Sequence, residues 1–273
     1  MFDDYWAGTP GVVQPGATGE FRVKPPLKTP WRVCIIYSTD WTDTQKSYSG
    51  EYEVISRKFA GDVTGKVALA GTPPAEIVIQ PLMDDRVLGP MHKGIVTTRR
   101  YLVSDDMGLA DVFVYVKAGL EGRTFEPPLA EPVLDQIGGL FEPYISGVMV
   151  GQKLKLRDSD PVMANMHVEG TINPGRNIAL VTKGQEAQMS FDHPELMVRV
   201  QGDVYNWMSA YVNVVDNPFF AVTDKEGRFK ISGLPPGKYT LEFVHLRAGK
   251  TTKEIEVGYE EEKADVELRV PGQ

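Results

Sequence analysis

Apolar residues recur along this chain in short runs and not at helical spacing. Within a run, β-branched and aromatic residues alternate with polar ones, and Gly, Pro, Asn and Asp separate one run from the next. This pattern is typical of strands in an antiparallel sandwich or barrel. We predict strands, in chain order, at 65–69, 76–79, 110–116, 145–150, 153–157, 178–181, 187–191, 197–201, 211–215, 229–231, 239–245, 251–257 and 264–270.

The first 60 residues have a different character from the rest of the chain. They combine Gly- and Pro-containing loop sequence with one strong apolar strand at 32–37, and they hold Tyr5, Trp6, Trp31 and Trp41. Trp and Tyr are common anchors where one protein buries surface against another. We predict that residues 1–60 form an arm with these four side chains as partner-binding residues; the alternative is that they cover the arm's own contact with the main domain.

Composition and charge exclude several classes of function. At 273 residues the chain has room for one large domain or two medium ones. A net charge of -8 disfavours nucleic acid, which is bound mainly through clustered Lys and Arg. No run of about eighteen apolar residues is present, so we expect no membrane-spanning helix. The single cysteine, Cys34, permits no internal disulfide and is read as a buried apolar residue.

The compartment stays open at this stage. The opening residues carry acid where a secretory signal needs a positive end and an apolar stretch, so no signal peptide is visible. The expectation is either a cytoplasmic protein or one whose leader was removed before this numbering begins.

Two sets of segments match patterns of known families. The first set is 109–115, 134–136, 158–161, 191–195 and 207–212, and the second is 217–224, 227–231 and 234–241. On the first set, the chain from about residue 61 to 216 resembles bacterial plastocyanin- and azurin-like (cupredoxin) proteins. On the second, the chain from 217 onward is similar to carboxypeptidase regulatory-like, transthyretin-like β-sandwiches. The resemblance implies an all-β fold, an antiparallel Greek-key sandwich or barrel followed by a small transthyretin-like sandwich, with domains at 1–60, 61–216 and 217–273.

The resemblance also implies where a copper site would lie. A type 1 copper ion needs two imidazoles and a thiolate, with a weak axial thioether. Matched residue by residue, the first His position is Ala164, the Cys position is Gly202, the second His is Tyr205, and the axial position is Met208. A lone thioether cannot hold copper at useful affinity, so we expect a copper-free scaffold with no metal and no other cofactor.

Further soft-ligand positions of the resembled family are also changed. Relatives carry Cys or His where this chain has Leu88, Gly139 and Tyr144. One alternative metal set remains open: His167 and His193 flank the former site, and thioethers of Met163, Met166 or Met208 suit Cu(I). The competing interpretation is that the methionines fill the core and the histidines lie hydrogen-bonded on loops.

No catalytic constellation emerges from the remaining chemistry. The acidic pairs at 3–4, 84–85 and 105–106 are best read as turn residues, because adjacent residues of a strand point to opposite faces. Asp158, Asp160 and Asn165 hint at a Ca²⁺ loop, but the EF-hand spacing and its closing Glu are missing. We therefore expect no enzyme.

The leading functional hypothesis is a non-catalytic structural or assembly subunit. Its partners would be protein subunits of a larger complex such as a respiratory or extracytoplasmic oxidoreductase, with self-association through exposed sheet edges as a further possibility. Two alternatives stay open: a carbohydrate- or peptide-binding module, and an electron carrier with a displaced copper site. The resemblance favours a periplasmic or extracytoplasmic location, which the sequence alone does not decide.

Overall fold

The structure is a computed structural model, and it describes residues 60–272. Almost all of the regular structure in this range is β-strand, which confirms the all-β prediction. The helical elements are one short helix, α1 (Gln80–Met83), and one 3-10 turn, Gly89–Met91. The strands are β1 (Gly61–Ala70), β2 (Phe113–Ala118), β3 (Val133–Ile137), β4 (Leu140–Glu142), β5 (Ile145–Met149), β6 (Leu154–Asp158), β7 (Ala164–Glu169), β8 (Arg176–Leu180), β9 (Glu186–Met189), β10 (Glu195–Gln201), β11 (Ser209–Val215), β12 (Phe220–Val222), β13 (Arg228–Leu234), β14 (Gly237–His245), β15 (Gly249–Val257), β16 (Glu262–Lys263) and β17 (Val266–Arg269).

Strands β3 to β11 form one sandwich, here called the central sandwich. One sheet has the order β5-β11-β10-β7-β8 and the other has the order β4-β3-β6-β9. Their inner faces enclose a core that includes Phe141, Leu156, Met166 and Val212, all fully buried. The burial of side chains along β7 follows from the two-residue period of a strand. Every second residue faces the core and is buried, and the residues between are partly exposed or exposed.

The remaining strands form a second sandwich, here called the terminal sandwich. One sheet has the order β13-β1-β16, with β17 also paired to β1, and the other has the order β12-β2-β14-β15. Its core includes Val67, Val114, Leu241 and Phe243. Each such side chain contributes about 2 kcal/mol through removal from water.

Strand pairing crosses the predicted boundary at residue 216. Strand β1 pairs with β13, and β2 pairs with β12 and β14, so residues 61–118 supply two strands to the sheets of residues 220–269. The boundaries 61–216 and 217–273 therefore do not follow the sheets, although independently folding domains stay a prediction. Periodicity reveals that a segment is a strand but not which distant strand it pairs with.

The predicted antiparallel packing needs a correction at four strand pairs. Strand β1 is parallel to β16 and β17, β3 is parallel to β6, and β5 is parallel to β11. Parallel neighbours cannot be joined by a tight hairpin and need a crossover. Here the crossovers run through the opposite sheet, so the result is a pair of open sandwiches in residues 60–272 and not a closed barrel.

The two sandwiches pack against each other through a small apolar cluster. Phe113 of β2 and Ile145 of β5 are buried there, and Phe220 packs against them. Gly147 of β5 allows the close approach, because a Cβ at this position would lie 2.6 Å from ring carbons of both Phe113 and Phe220. Within residues 60–272, no helix is long and apolar enough to span a bilayer.

Candidate functional site

The four positions assigned by resemblance to a former copper site lie at one end of the central sandwich. Ala164 is the first residue of β7 and is fully buried in the central core. Met208, which directly precedes β11, is only 1% exposed and lies in the same core. Gly202 and Tyr205 lie in the loop between β10 and β11. The structure thus brings the four positions to one region, while their descent from copper ligands stays a prediction.

The β10–β11 loop is closed by its own backbone. Gly202 N–H donates to the Met208 carbonyl oxygen over 3.1 Å, and Met208 N–H donates to the Tyr205 carbonyl oxygen over 2.9 Å. A Cβ at residue 202 would lie 2.8 Å from the Tyr205 carbonyl oxygen. A thiolate side chain at position 202 therefore requires the loop to move.

Aromatic side chains occupy the mouth of this region. The rings of Tyr205 and Trp207 have centroids 5.1 Å apart, and Trp207 Nε1–H donates to the Gly139 carbonyl oxygen over 3.0 Å. Burial raises the pKa of the Tyr205 hydroxyl, and the negative charges of Asp85 and Asp160 add to the effect. A neutral phenol at this position offers copper no imidazole-like ligand.

A loop at residues 79–96, here called the cap, covers the same end of the sandwich. Ile79 N–H donates to the Val96 carbonyl oxygen over 2.9 Å and so closes the base of the loop. Leu82 and Leu88 are fully buried and belong to the central core. The burial of these two leucines was not predicted, because the apolar positions of the cap follow neither strand nor helix spacing.

The cap contacts the tight turn between β3 and β4. Gly139 has a φ of +70°, and a Cβ there would lie 2.7 Å from Leu82 Cδ1 and 3.1 Å from Leu88 Cδ1. His92 Nε2–H donates to the Gly138 carbonyl oxygen over 2.6 Å. Leu88 and Gly139 are therefore neighbours in space.

The buried carboxylate of Asp160 fixes the turn between β3 and β4. This carboxylate accepts hydrogen bonds from Gly138 N–H over 2.6 Å and from Gly139 N–H over 2.7 Å, and the side chain is fully buried. Asp158 accepts from Asp160 N–H over 3.0 Å. The acidic residues considered for a Ca²⁺ loop are thus engaged with backbone N–H groups. The Gly138-Gly139 doublet after a strand was the available sequence signal for the turn.

The alternative His/Met set does not come together. Met166 faces the core whereas the next residue, His167, lies on the opposite face of β7 and pairs with Asp203 over 3.1 Å. His193 is exposed, and its backbone groups bond to the Asn173 side chain. Among residues 60–272, no three His, Cys, Asp or Glu side chains are grouped so that they could hold a metal ion.

The other predicted site residues lie outside the part of the chain that the structure describes. Tyr5, Trp6, Trp31 and Trp41, together with Cys34, fall within residues 1–59. Their assignment as partner-binding residues, and the arm itself, stay predictions.

Comparison with solved structures gives neighbours at low identity that cover about a third of this chain. The chain is similar to a copper-containing nitrite reductase of Thermus scotoductus (13% identity, TM-score 0.29). The matched region covers 37% of this chain and 25% of the reductase. The chain is also similar to an oxidised amicyanin variant (14% identity, TM-score 0.29), covering 37% of this chain and 97% of the amicyanin. A purple cupredoxin of Nitrosopumilus maritimus matches at 14% identity and a TM-score of 0.28, covering 31% of this chain and 99% of that protein.

The remaining comparisons add no family. No protein-family model and no curated protein sequence matches the chain. The matched part is about a quarter of the nitrite reductase and at most 37% of this chain in these three structures. The resemblance of residues 217–273 to a carboxypeptidase regulatory-like domain therefore stays a prediction.

Proposed function

We propose that this chain is a non-catalytic structural subunit that assembles with other proteins on a cupredoxin-like scaffold without copper. We propose that the complex is a respiratory or extracytoplasmic oxidoreductase assembly. The observation that carries the proposal is the filled end of the central sandwich. Ala164 and Met208 are packed into the core there, and Gly202 has no space for a side chain. Such an end serves shape and stability, since no imidazole or thiolate lies at these positions.

The outer side of the same end supports an assembly role. Solvent-exposed apolar side chains are concentrated on the cap and on the loops beside it. Exposed apolar patches of this kind commonly mark interaction sites. Ile95 is 73% exposed, the largest value among the exposed large hydrophobic residues of the described range. This surface, here called the cap surface, comprises Ile77, Val87, Met91 and Ile95 with the neighbouring Ile137 and Val204.

Two members of the cap surface directly precede residues of the site described above. Ile137 directly precedes Gly138, which accepts the His92 hydrogen bond from the cap. Val204 directly precedes Tyr205, whose ring packs on Trp207, and Trp207 in turn bonds to Gly139. Three segments that converge on one glycine turn thus all present apolar side chains to solvent.

The test is recovery of the full chain from its native source under gentle conditions, with cross-linking to identify what it contacts. A double variant, Met91→Glu with Ile95→Glu, should abolish co-purification of the partner, because it puts charge into a buried interface. The matched control is Leu129→Glu with Ile172→Glu, which changes two exposed apolar residues at the end of the central sandwich opposite the cap. Isolation of the natural protein as a free monomer would overturn the proposal, and so would equal partner loss in both double variants.

A further inference from the structure

Two polar side chains lie next to each other inside the central core at the ends of β3 and β6. Gln136 and Asp158 are direct partners in the parallel β3–β6 pair, and both are fully buried. Alternate residues of a strand share a face, so Gln136 lies on the face of Leu134 and Asp158 on the face of Leu156. Both leucines are core residues. The two polar groups therefore face the core from adjacent strands.

Three atoms of this pair lack hydrogen-bond partners. They are both polar atoms of the Gln136 amide and Oδ2 of Asp158. The other carboxyl oxygen, Oδ1, already accepts from Asp160 N–H. An ionised carboxylate with an unpaired oxygen is very unfavourable away from water. A neutral carboxyl group instead carries one O–H donor, which suits the unpaired Oε1 acceptor of Gln136.

The charges around Asp158 increase the cost of ionisation. Burial raises the pKa of Asp158, and the charges of Asp160, on the same segment, and Asp135, on β3, add to the effect. Together they outweigh the opposing backbone hydrogen bonds from Asp160 and Ala164. Arg157 lies on the opposite face of β6, where it pairs with Asp135 over 2.8 Å and approaches Glu186 of β9.

The other cations of neighbouring elements are also directed elsewhere. Lys155 of β6 pairs with Glu186 over 3.0 Å. Lys183, in the loop whose Gly184 N–H bonds to the Asp158 carbonyl oxygen, is exposed to solvent. The ion pairs found within residues 60–272 thus provide Asp158 with no cation.

We propose that Asp158 is a proton-binding site that controls how firmly the cap is held. In the closed state its carboxyl group carries a proton and donates it to Gln136 Oε1. Release of that proton to water leaves a buried carboxylate that the core does not accommodate, so the segment 158–160 moves toward solvent. This proposal goes beyond the assembly role and is independent of it.

A continuous set of contacts joins Asp158 to the cap. Asp158 fixes the Asp160 N–H, and the Asp160 carboxylate fixes the two N–H groups of Gly138 and Gly139. The cap packs on this turn through Leu82 and through the His92 hydrogen bond. Loss of the proton is therefore expected to loosen the turn and the cap together.

The experiment compares Asp158→Asn with Asp160→Asn in the full chain. Amide exchange of the peptide 136–141 is followed from about pH 4 to about pH 8, corrected for the intrinsic rate. The natural protein should lose protection at the high end, by up to about tenfold per pH unit, because one proton is released on opening. Asp158→Asn should keep its protection throughout, since the neutral amide replaces the protonated acid. Asp160→Asn should lose protection at every pH, because an amide cannot accept from two N–H groups with two oxygens.

Infrared spectroscopy gives a second, direct measurement. At a pH below that at which protection begins to fall, the natural protein should show a protonated-carboxyl band that disappears in Asp158→Asn and shifts in Gln136→Leu. Absence of that band, or protection that falls equally in Asp158→Asn and Asp160→Asn, would overturn the proposal.

Discussion

Replacing Gly139 by alanine is the sharpest test of the contact between the cap and the central sandwich. At a φ of +70°, an alanine is in the left-handed region, which costs about 1 to 2 kcal/mol. In addition, its Cβ would lie 2.7 Å from Leu82 Cδ1. Leu82 is fully buried, so it yields only by repacking, at a further cost of about 1 to 3 kcal/mol. The expected total is about 2 to 5 kcal/mol of unfolding free energy.

Gly184→Ala is the matched control for backbone strain. Gly184 has a φ of +81°, and a Cβ there meets no atom within 4 Å. This variant should lose only the strain contribution, about 1 to 2 kcal/mol. The difference between the two variants, measured from urea midpoints at constant m-value, isolates the contact with the cap.

A double-mutant cycle with Leu82→Ala completes the test. Leu82→Ala alone should cost about 3 kcal/mol, because it leaves a cavity in a closed core. It also removes the atom that the new Cβ would meet, so the combined variant should be about 1 kcal/mol or more better than the sum of the single losses. Equal losses in Gly139→Ala and Gly184→Ala, with no coupling to Leu82→Ala, would refute the packing of the cap on this turn.

Two further predictions concern pH. Burial, with the charge of Arg247, lowers the pKa of His245 to about 4, so the folded protein resists protonation of this residue. The free energy of unfolding should therefore be highest above about pH 6.5 and fall by up to about 3 kcal/mol as the pH drops toward 4. Thermal unfolding of His245→Asn should lose this slope, and an unchanged slope would contradict the assignment. The pKa of Glu195 is lowered to about 2 because hydrogen bonds from Asn173 and Thr171 outweigh its burial, so its contribution should be lost between about pH 4.5 and 2. Glu195→Gln should cost about 2 kcal/mol in urea unfolding at neutral pH, and a loss below about 0.5 kcal/mol would count against this role.

Local patterns predicted most strands of the two sandwiches. The runs at 145–150 and 153–157 coincide with β5 and β6 within one residue at each end. The predicted strand at 76–79 is wrong, because Val78 forms only an isolated bridge with Thr97, and Pro74 and Pro81 flank the segment. Strands β3 and β7 were missed because their runs include polar residues such as Gln136 and His167.

The candidate site was predicted only in part. The four positions from Ala164 to Met208 lie at one end of the central sandwich, while their correspondence to copper ligands stays a prediction. The cap was not foreseen, because its burial depends on a tertiary contact with a turn more than forty residues away in the sequence. The role of Asp160 was hidden for the same reason, since a carboxylate that binds backbone N–H groups leaves no motif of its own.

The central claim, a cupredoxin-like scaffold without copper, is tested most directly by titrating the purified full chain with Cu(I) and Cu(II). Absorption spectra and melting temperature are followed as the metal is added. The account predicts no intense blue band, no saturable uptake and no stabilisation at stoichiometric copper. Tight, saturable uptake of one copper ion with a blue band and a raised melting temperature would contradict it and restore an electron-transfer role.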